Sequence, residues 1–203
     1  MATDPATYDP LEPVDFWTLH KGKIILYSSL AILGALTFTV YTYQKEAKII
    51  RAKAAYSLAT TPQQLDEVIR EYMGTVVSGD AALQLADQQR QEGKFDEAIA
   101  TLRDFIAKNP EHPLLSGGWL SLGTTLELAG RNEEALDVYQ QTNSKFPDSY
   151  AAPISLLYQA RLRQRMGQPE AAKPLYESLI ARYPKSLYAR EAMRELRYLN
   201  QQL

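Results

Sequence analysis

Three glycines, Gly93, Gly130 and Gly167, stand 37 residues apart. Each is followed five positions later by an alanine (Ala98, Ala135, Ala172) and seventeen positions later by a proline (Pro110, Pro147, Pro184). A fixed period of this length marks a stacked-repeat array, in which one supersecondary unit recurs and buries its apolar face only against its neighbours. The three residues also assign parts within the unit: glycine ends one helix and turns the chain, alanine admits close helix packing, and proline stops the next helix. The segment before each glycine supplies the first helix of a hairpin. The expected fold is therefore all-α, a helical-hairpin solenoid.

The middle copy is the fullest. In "GWLSLGTTLELAGRNEEALDVYQ", Trp119, Leu122, Gly123 and Leu126 precede Gly130, Ala135 and Tyr139, and Pro147 closes the unit. This pattern resembles the tetratricopeptide repeat. The resemblance places Gly123 where the paired helices touch, which explains a glycine that otherwise costs its helix about 1 kcal/mol relative to alanine. In the flanking copies Ala86 and Ala160 occupy the Gly123 position, and Leu102 and Tyr176 the Tyr139 position. Gln89 and Arg163 depart from the apolar residue at Leu126, and Thr142 stands where alanine is usual. The period exceeds the usual 34, with the added residues falling after each proline. Upstream, "PQQLDEVIREYMGT" fits the second-helix register, since Leu65 lies 37 residues before Leu102. After Pro184, Ala192, Leu196 and Leu199 line one side of a charged helix suited to cap the array.

Residues 24–43, "IILYSSLAILGALTFTVYTY", carry no charge. At 1.5 Å per residue they extend roughly 30 Å, the hydrocarbon thickness of a bilayer. Phe16, Trp17, Tyr41 and Tyr43 flank this run as interfacial aromatics, with Lys21, Lys23 and Lys45 at its ends. The run is longer than a signal-peptide core and no small-x-small cleavage site follows, so an uncleaved anchor is expected. The resulting organisation is a disordered acidic tail (1–23), a transmembrane helix (24–43), a helical extension with a degenerate first hairpin (44–79), three repeats (80–184) and a capping helix (185–203). The helix leaving the membrane is expected to continue into the array without a flexible linker. Lys45, Lys48, Arg51 and Lys53 after the span outnumber the basic residues before it, which by charge bias favours a cytoplasmic repeat domain.

The balance of 22 basic and 24 acidic residues implies no nucleic-acid partner. Without cysteine there is no disulfide, thiolate or lipid-modified thiol. His20 and His112 are far apart and read as ordinary surface histidines, so no metal site is expected. Phosphate loops, HExxH and G-x-S-x-G are missing from the sequence, and neither an enzyme nor a cofactor is expected.

By resemblance to tetratricopeptide units, a concave partner-binding face would comprise Leu83, Asp87, Arg90, Leu120, Thr124, Glu127, Leu128, Leu157, Arg161 and Arg165. Leu83, Leu120 and Leu157 also share the repeat period, which is equally the pattern of core positions. Arg161, Arg163 and Arg165 alternate around one helix, either as a solvated face or as a groove for carboxylates. The whole layout of tail, single span and repeats resembles the ancillary SecYEG translocon subunit family. That resemblance implies a bacterial inner-membrane protein with periplasmic repeats. It also implies a chaperone-like role, with the translocon, a membrane-bound folding factor or secretory chains as partners. The endings "KFPDSYAAP" and "RYPKSLYAREA" are similar to repeats of the Tol-Pal coordinator and the outer-membrane assembly lipoprotein, which implies a scaffold subunit of an envelope complex instead.

Overall fold

The computed structural model describes residues 13–201. Among them are nine α-helices and no strand: α1 (Pro13–Leu58), α2 (Pro62–Glu71), α3 (Val76–Gln91), α4 (Phe95–Lys108), α5 (Leu115–Leu128), α6 (Asn132–Lys145), α7 (Ala151–Arg165), α8 (Pro169–Arg182) and α9 (Leu187–Gln201). The chain divides into two compact units between Lys48 and Ile49.

The first unit is the amino-terminal part of α1. Of the tail expected over residues 1–23, residues 1–12 lie outside the described residues, while residues 13–23 are helical rather than disordered. The correction has a local cause. After Pro13 no proline interrupts the run, so these residues lead without a break into the apolar helix. From His20 onward the helix is long and apolar enough to cross a membrane, and its apolar window is not covered by other described residues. Its hydroxyls are satisfied internally: Ser28, Ser29, Thr37 and Thr39 each donate to a carbonyl three or four residues back, at 2.8–3.0 Å. Such back-bonding leaves these hydroxyls with no need of water, as a lipid environment requires.

The second unit begins with the last turns of α1 and continues as α2 to α9, each helix packed on its neighbours in sequence. First helices end at Gln91, Leu128 and Arg165, and second helices at Lys108, Lys145 and Arg182, so the 37-residue period is kept in space. Gly93, Gly130 and Gly167 have φ of 75°, 76° and 73°, the left-handed region that glycine enters at little cost. Each closes the same C-terminal motif. The next residue's N–H returns to the carbonyl at Gln89, Leu126 or Arg163 (2.8–2.9 Å), and the glycine N–H bonds the carbonyl at Arg90, Glu127 or Gln164 (3.0–3.1 Å). Ala98, Ala135 and Ala172 are fully buried at the hairpin contacts, and so are Tyr139 and Tyr176. A Cβ on Gly123 would collide with Cε1 of Tyr139, which is why that helix contains glycine. Trp119 packs at the edge of the core, and Lys145 Nζ lies 4.0 Å from its ring centroid.

The departures from the repeat pattern find partners. Gln89 Oε1 accepts from the Thr101 hydroxyl at 2.8 Å, and Arg163 Nη1 donates to Gln168 Oε1 at 2.7 Å. The buried Thr142 hydroxyl donates to its own helix at the Val138 carbonyl, 2.8 Å away. His112 is buried, contrary to its reading as a surface histidine. Its Nδ1 accepts from the Leu114 N–H at 3.1 Å, which leaves the proton on Nε2, 3.0 Å from the Val76 carbonyl. The ring also meets Phe105 edge-on. The ring thus ties the α4–α5 loop to the start of α3. Burial is tolerated because both ring nitrogens are satisfied.

Candidate functional site

Where α5 and α7 lie side by side, Thr124, Glu127, Leu128, Tyr158, Arg161 and Arg165 surround an open pocket of about 240 Å³, floored by the Tyr139 ring. The first-helix register puts these side chains there. Residues three and four apart on a helix share a face, so Thr124, Glu127 and Leu128 present one wall and Arg161 and Arg165 the other. Tyr139 and Tyr158 meet edge-to-face at 5.9 Å between centroids.

The pocket is wired through Glu127. Its Oε2 accepts the Tyr139 hydroxyl at 3.0 Å, and its Oε1 pairs with the Arg165 guanidinium from the neighbouring hairpin. Arg161 pairs with Glu191 of α9. Burial, reinforced by the Glu127 charge and hydrogen bond, pushes the Tyr139 phenol far above its ordinary pKa. Burial also pushes Tyr176 up, to about 12, with the Glu195 charge adding to it. Both phenols are hydrogen-bond donors at neutral pH. The Arg165–Glu127 pair is half exposed on the arginine side, and exposed pairs contribute at most about 1 kcal/mol. An incoming carboxylate or amide can therefore exchange into this pair at small cost.

Five of the ten residues expected on the concave face meet in this pocket: Thr124, Glu127, Leu128, Arg161 and Arg165. Leu157 does not. It is 1 % exposed and belongs to the core beneath the groove, so its periodicity reported packing. Leu83 and Leu120 are half-buried against the middle core for the same reason. Asp87 and Arg90 pair with one another on α3, and Asp87 also accepts from Gln91 at 2.6 Å. The alternating arginines divide: Arg161 and Arg165 reach the pocket, while Arg163 turns to Gln168 and the α8 side. Sequence reasoning missed Tyr158 and Glu191. Tyr158 is in register with Ser121, so the period concealed it, and Glu191 lies on the capping helix beyond the last full repeat. Among the described residues no group of three or more His, Asp or Glu side chains could hold a metal ion.

An array of Schellman-turned hairpins with an alanine–tyrosine core is a tetratricopeptide-like solenoid, here preceded by a long apolar helix. The chain belongs to the family described as YfiO, outer membrane lipoprotein, which matches residues 39–203. The fold is shared with solved repeat structures. A kinesin light chain from Podosopora anserina with nearly identical TPR-like repeats is 18% identical with a TM-score of 0.52, over 78% of this chain and 86% of that one. BtubC (BKLC) from P. vanneervenii is 17% identical with a TM-score of 0.54, over 77% of this chain and 66% of that one. No curated protein matches the sequence.

Proposed function

We propose that this chain is a non-catalytic scaffold subunit of an envelope complex, held in the membrane by residues 24–43, with the pocket between α5 and α7 receiving a partner polypeptide. The observation that carries this reading is the Glu127–Arg165 pair. It spans two hairpins at the mouth of the pocket and presents an acceptor and a donor beside exposed Leu128. A polypeptide supplies the complement to all three, since its side chains offer apolar groups and its backbone or carboxylates can replace either half of the pair. Membership in an outer-membrane lipoprotein family supports an envelope assembly of the outer-membrane or Tol-Pal kind. The apolar helix supports a second reading, a chaperone-like adaptor beside the translocon in the bacterial inner membrane. Both readings place the repeats in the periplasm.

Photo-crosslinking of the full chain in native membranes separates them. A photoreactive residue at Thr124 or Leu128 is expected to give one stoichiometric adduct if the partner is a fixed subunit. A ladder of heterogeneous adducts would replace the scaffold with the adaptor. Adducts equal to those from Lys94, on the glycine turns, would remove the pocket as the binding surface. Orientation is read separately with a single cysteine at Ser144, which has no native thiol to compete with it. An impermeant maleimide should label it in cells whose outer membrane is opened, and labelling only after lysis would place the repeats in the cytoplasm.

A further inference from the structure

The first helices keep one register, and the last of them breaks it on a single face. Arg190 of α9 stands 37 residues after Pro153, at the place where α5 has Ser116 and α3 has Gly79, and all three of those earlier residues are buried. Arg194 stands where the earlier helices have Leu83, Leu120 and Leu157, and Arg197 where they have Ala86, Gly123 and Ala160. In α3, α5 and α7 this small and apolar strip packs against neighbouring helices. Guanidinium groups cannot be buried there without counter-charges, so a further hairpin of the same design does not fit on α9.

The arginines lie at i, i+4 and i+7, along one face of α9 over about 10 Å of helix. All are exposed. Every arginine from Arg70 to Arg182 reaches a side-chain oxygen of an acid or an amide. Arg190, Arg194 and Arg197 reach none among the described residues, and Arg197 Nε donates only to the Met193 carbonyl of its own helix, at 3.3 Å. The acids of α9 serve elsewhere: Glu191 pairs with Arg161, and Glu195 lies on the side of the Tyr176 phenol. Apolar groups border the stripe. Leu187 is 71% exposed and Met193 40%, and with the arginines they edge a shallow depression of about 480 Å³. A cap made for solubility alone is served by charges of both signs, whereas this face carries one sign beside exposed apolar side chains.

We propose that this face of α9 is a second docking surface, which receives an acidic amphipathic helix of a partner protein. The strip is where each earlier first helix receives another helix, so a helix is the shape that fits. Carboxylates at the same i, i+4 and i+7 spacing would pair with Arg190, Arg194 and Arg197, and aliphatic side chains between them would cover Leu187 and Met193. A second copy of this chain does not serve through the same face, because like charges would meet. The surface shares with the α5–α7 pocket only the Arg161–Glu191 pair, so it stands whether or not that pocket binds a polypeptide.

The test uses the full chain in phosphatidylcholine nanodiscs and a fluorescein-labelled helical peptide with glutamates and leucines along one face, beside a counterpart with glutamine for glutamate. The glutamate peptide should bind about tenfold more tightly, the sum expected of a few exposed ion pairs, and should lose that margin as salt rises from about 0.05 to 0.5 M. Arg190→Glu, Arg194→Glu and Arg197→Glu together should abolish the margin and create binding of a lysine peptide. The three corresponding Gln substitutions should abolish it without that reversal, with helicity by circular dichroism kept in both variants. A photoreactive residue at Met193 should capture the glutamate peptide. Equal or unmeasurable affinities for the two peptides, or a margin that survives both triple variants, overturn the proposal and leave α9 a solvated cap. Capture at Thr124 and not at Met193 places the acidic helix in the α5–α7 pocket and overturns it as well. A fluorophore on Met193→Cys, the sole thiol of that variant, reads the last alternative. If it responds when phosphatidylglycerol replaces phosphatidylcholine but not when the glutamate peptide is added, an anionic lipid surface takes the place of the partner helix.

Discussion

The hairpins α5–α6 and α7–α8 are built to one plan and differ where they face the groove. In both, a fully buried tyrosine on the second helix reaches across to the first. Tyr139 donates to a carboxylate, Glu127, and Tyr176 donates to an amide, Gln164, each at 3.0 Å and each 12 residues apart in sequence. The fold needs only an acceptor for a buried phenol, and either side chain provides it. The charge on Glu127 is an addition, and it is what recruits Arg165 from the next hairpin and gives the pocket its polarity. The first copy makes the same point by omission. Leu102 has no hydroxyl, and Arg90, in register with Glu127, pairs with Asp87 instead. A repeat can thus hold its packing constant while the acceptor position varies to make a site.

Removing the shared part should cost most. Tyr139→Ala and Tyr176→Ala each empty a fully buried site and are expected to destabilise the array by about 3–5 kcal/mol in denaturant unfolding. Equal losses would show that the phenol rings carry the same packing duty in both hairpins. Removing only the hydroxyl should separate the hairpins. Tyr139→Phe deletes a hydrogen bond to a charged acceptor, worth about 1.5–3 kcal/mol, and Tyr176→Phe one to a neutral acceptor, about 0.5–1.5 kcal/mol. If the order reverses, the Glu127 carboxylate is not the better acceptor.

The same phenols set an alkaline limit. Their folded pKa values lie above the ordinary 10, so each holds its proton more tightly folded than unfolded. The stability they contribute is complete below pH 10 and is lost as pH rises through about 12 for Tyr176. Unfolding followed from about pH 9 to 12 should show this decline, and the double Phe variant should show a shallower one.

Exchanging the contact residue is the finest comparison. Ala160 tolerates a Cβ facing its hairpin partner, whereas a Cβ at Gly123 would meet the Tyr139 ring. Ala160→Gly should cost about 1 kcal/mol through helix propensity and about 1 kcal/mol more for the buried methyl it removes. Gly123→Ala gains that propensity but overpacks, at about 1–3 kcal/mol, and should come out neutral to about 2 kcal/mol destabilising in thermal melts. A clear stabilisation by Gly123→Ala would mean that the Tyr139 ring moves aside freely.

Much of this was legible because a repeat states its rules several times. The period identified the turn glycines, the buried alanines and the buried tyrosines, since a left-handed turn and a close helix contact admit few residue types. Composition alone marked the apolar helix, because a span must satisfy its backbone internally and carry no charge. Periodicity could not distinguish core from groove, as Leu157 shows, because both lie on the same helix at neighbouring phases. It also missed His112, whose burial depends on a loop folding back on a helix 36 residues away.

The amino-acid sequence by itself determined the solenoid, its register and the membrane-length helix, all set by local propensity and spacing. Only the tertiary structure decided that Arg161 and Arg165 reach the pocket already paired with Glu191 and Glu127. Ion pairs such as these join residues 30 or more positions apart, and their partners are chosen by which helices become neighbours.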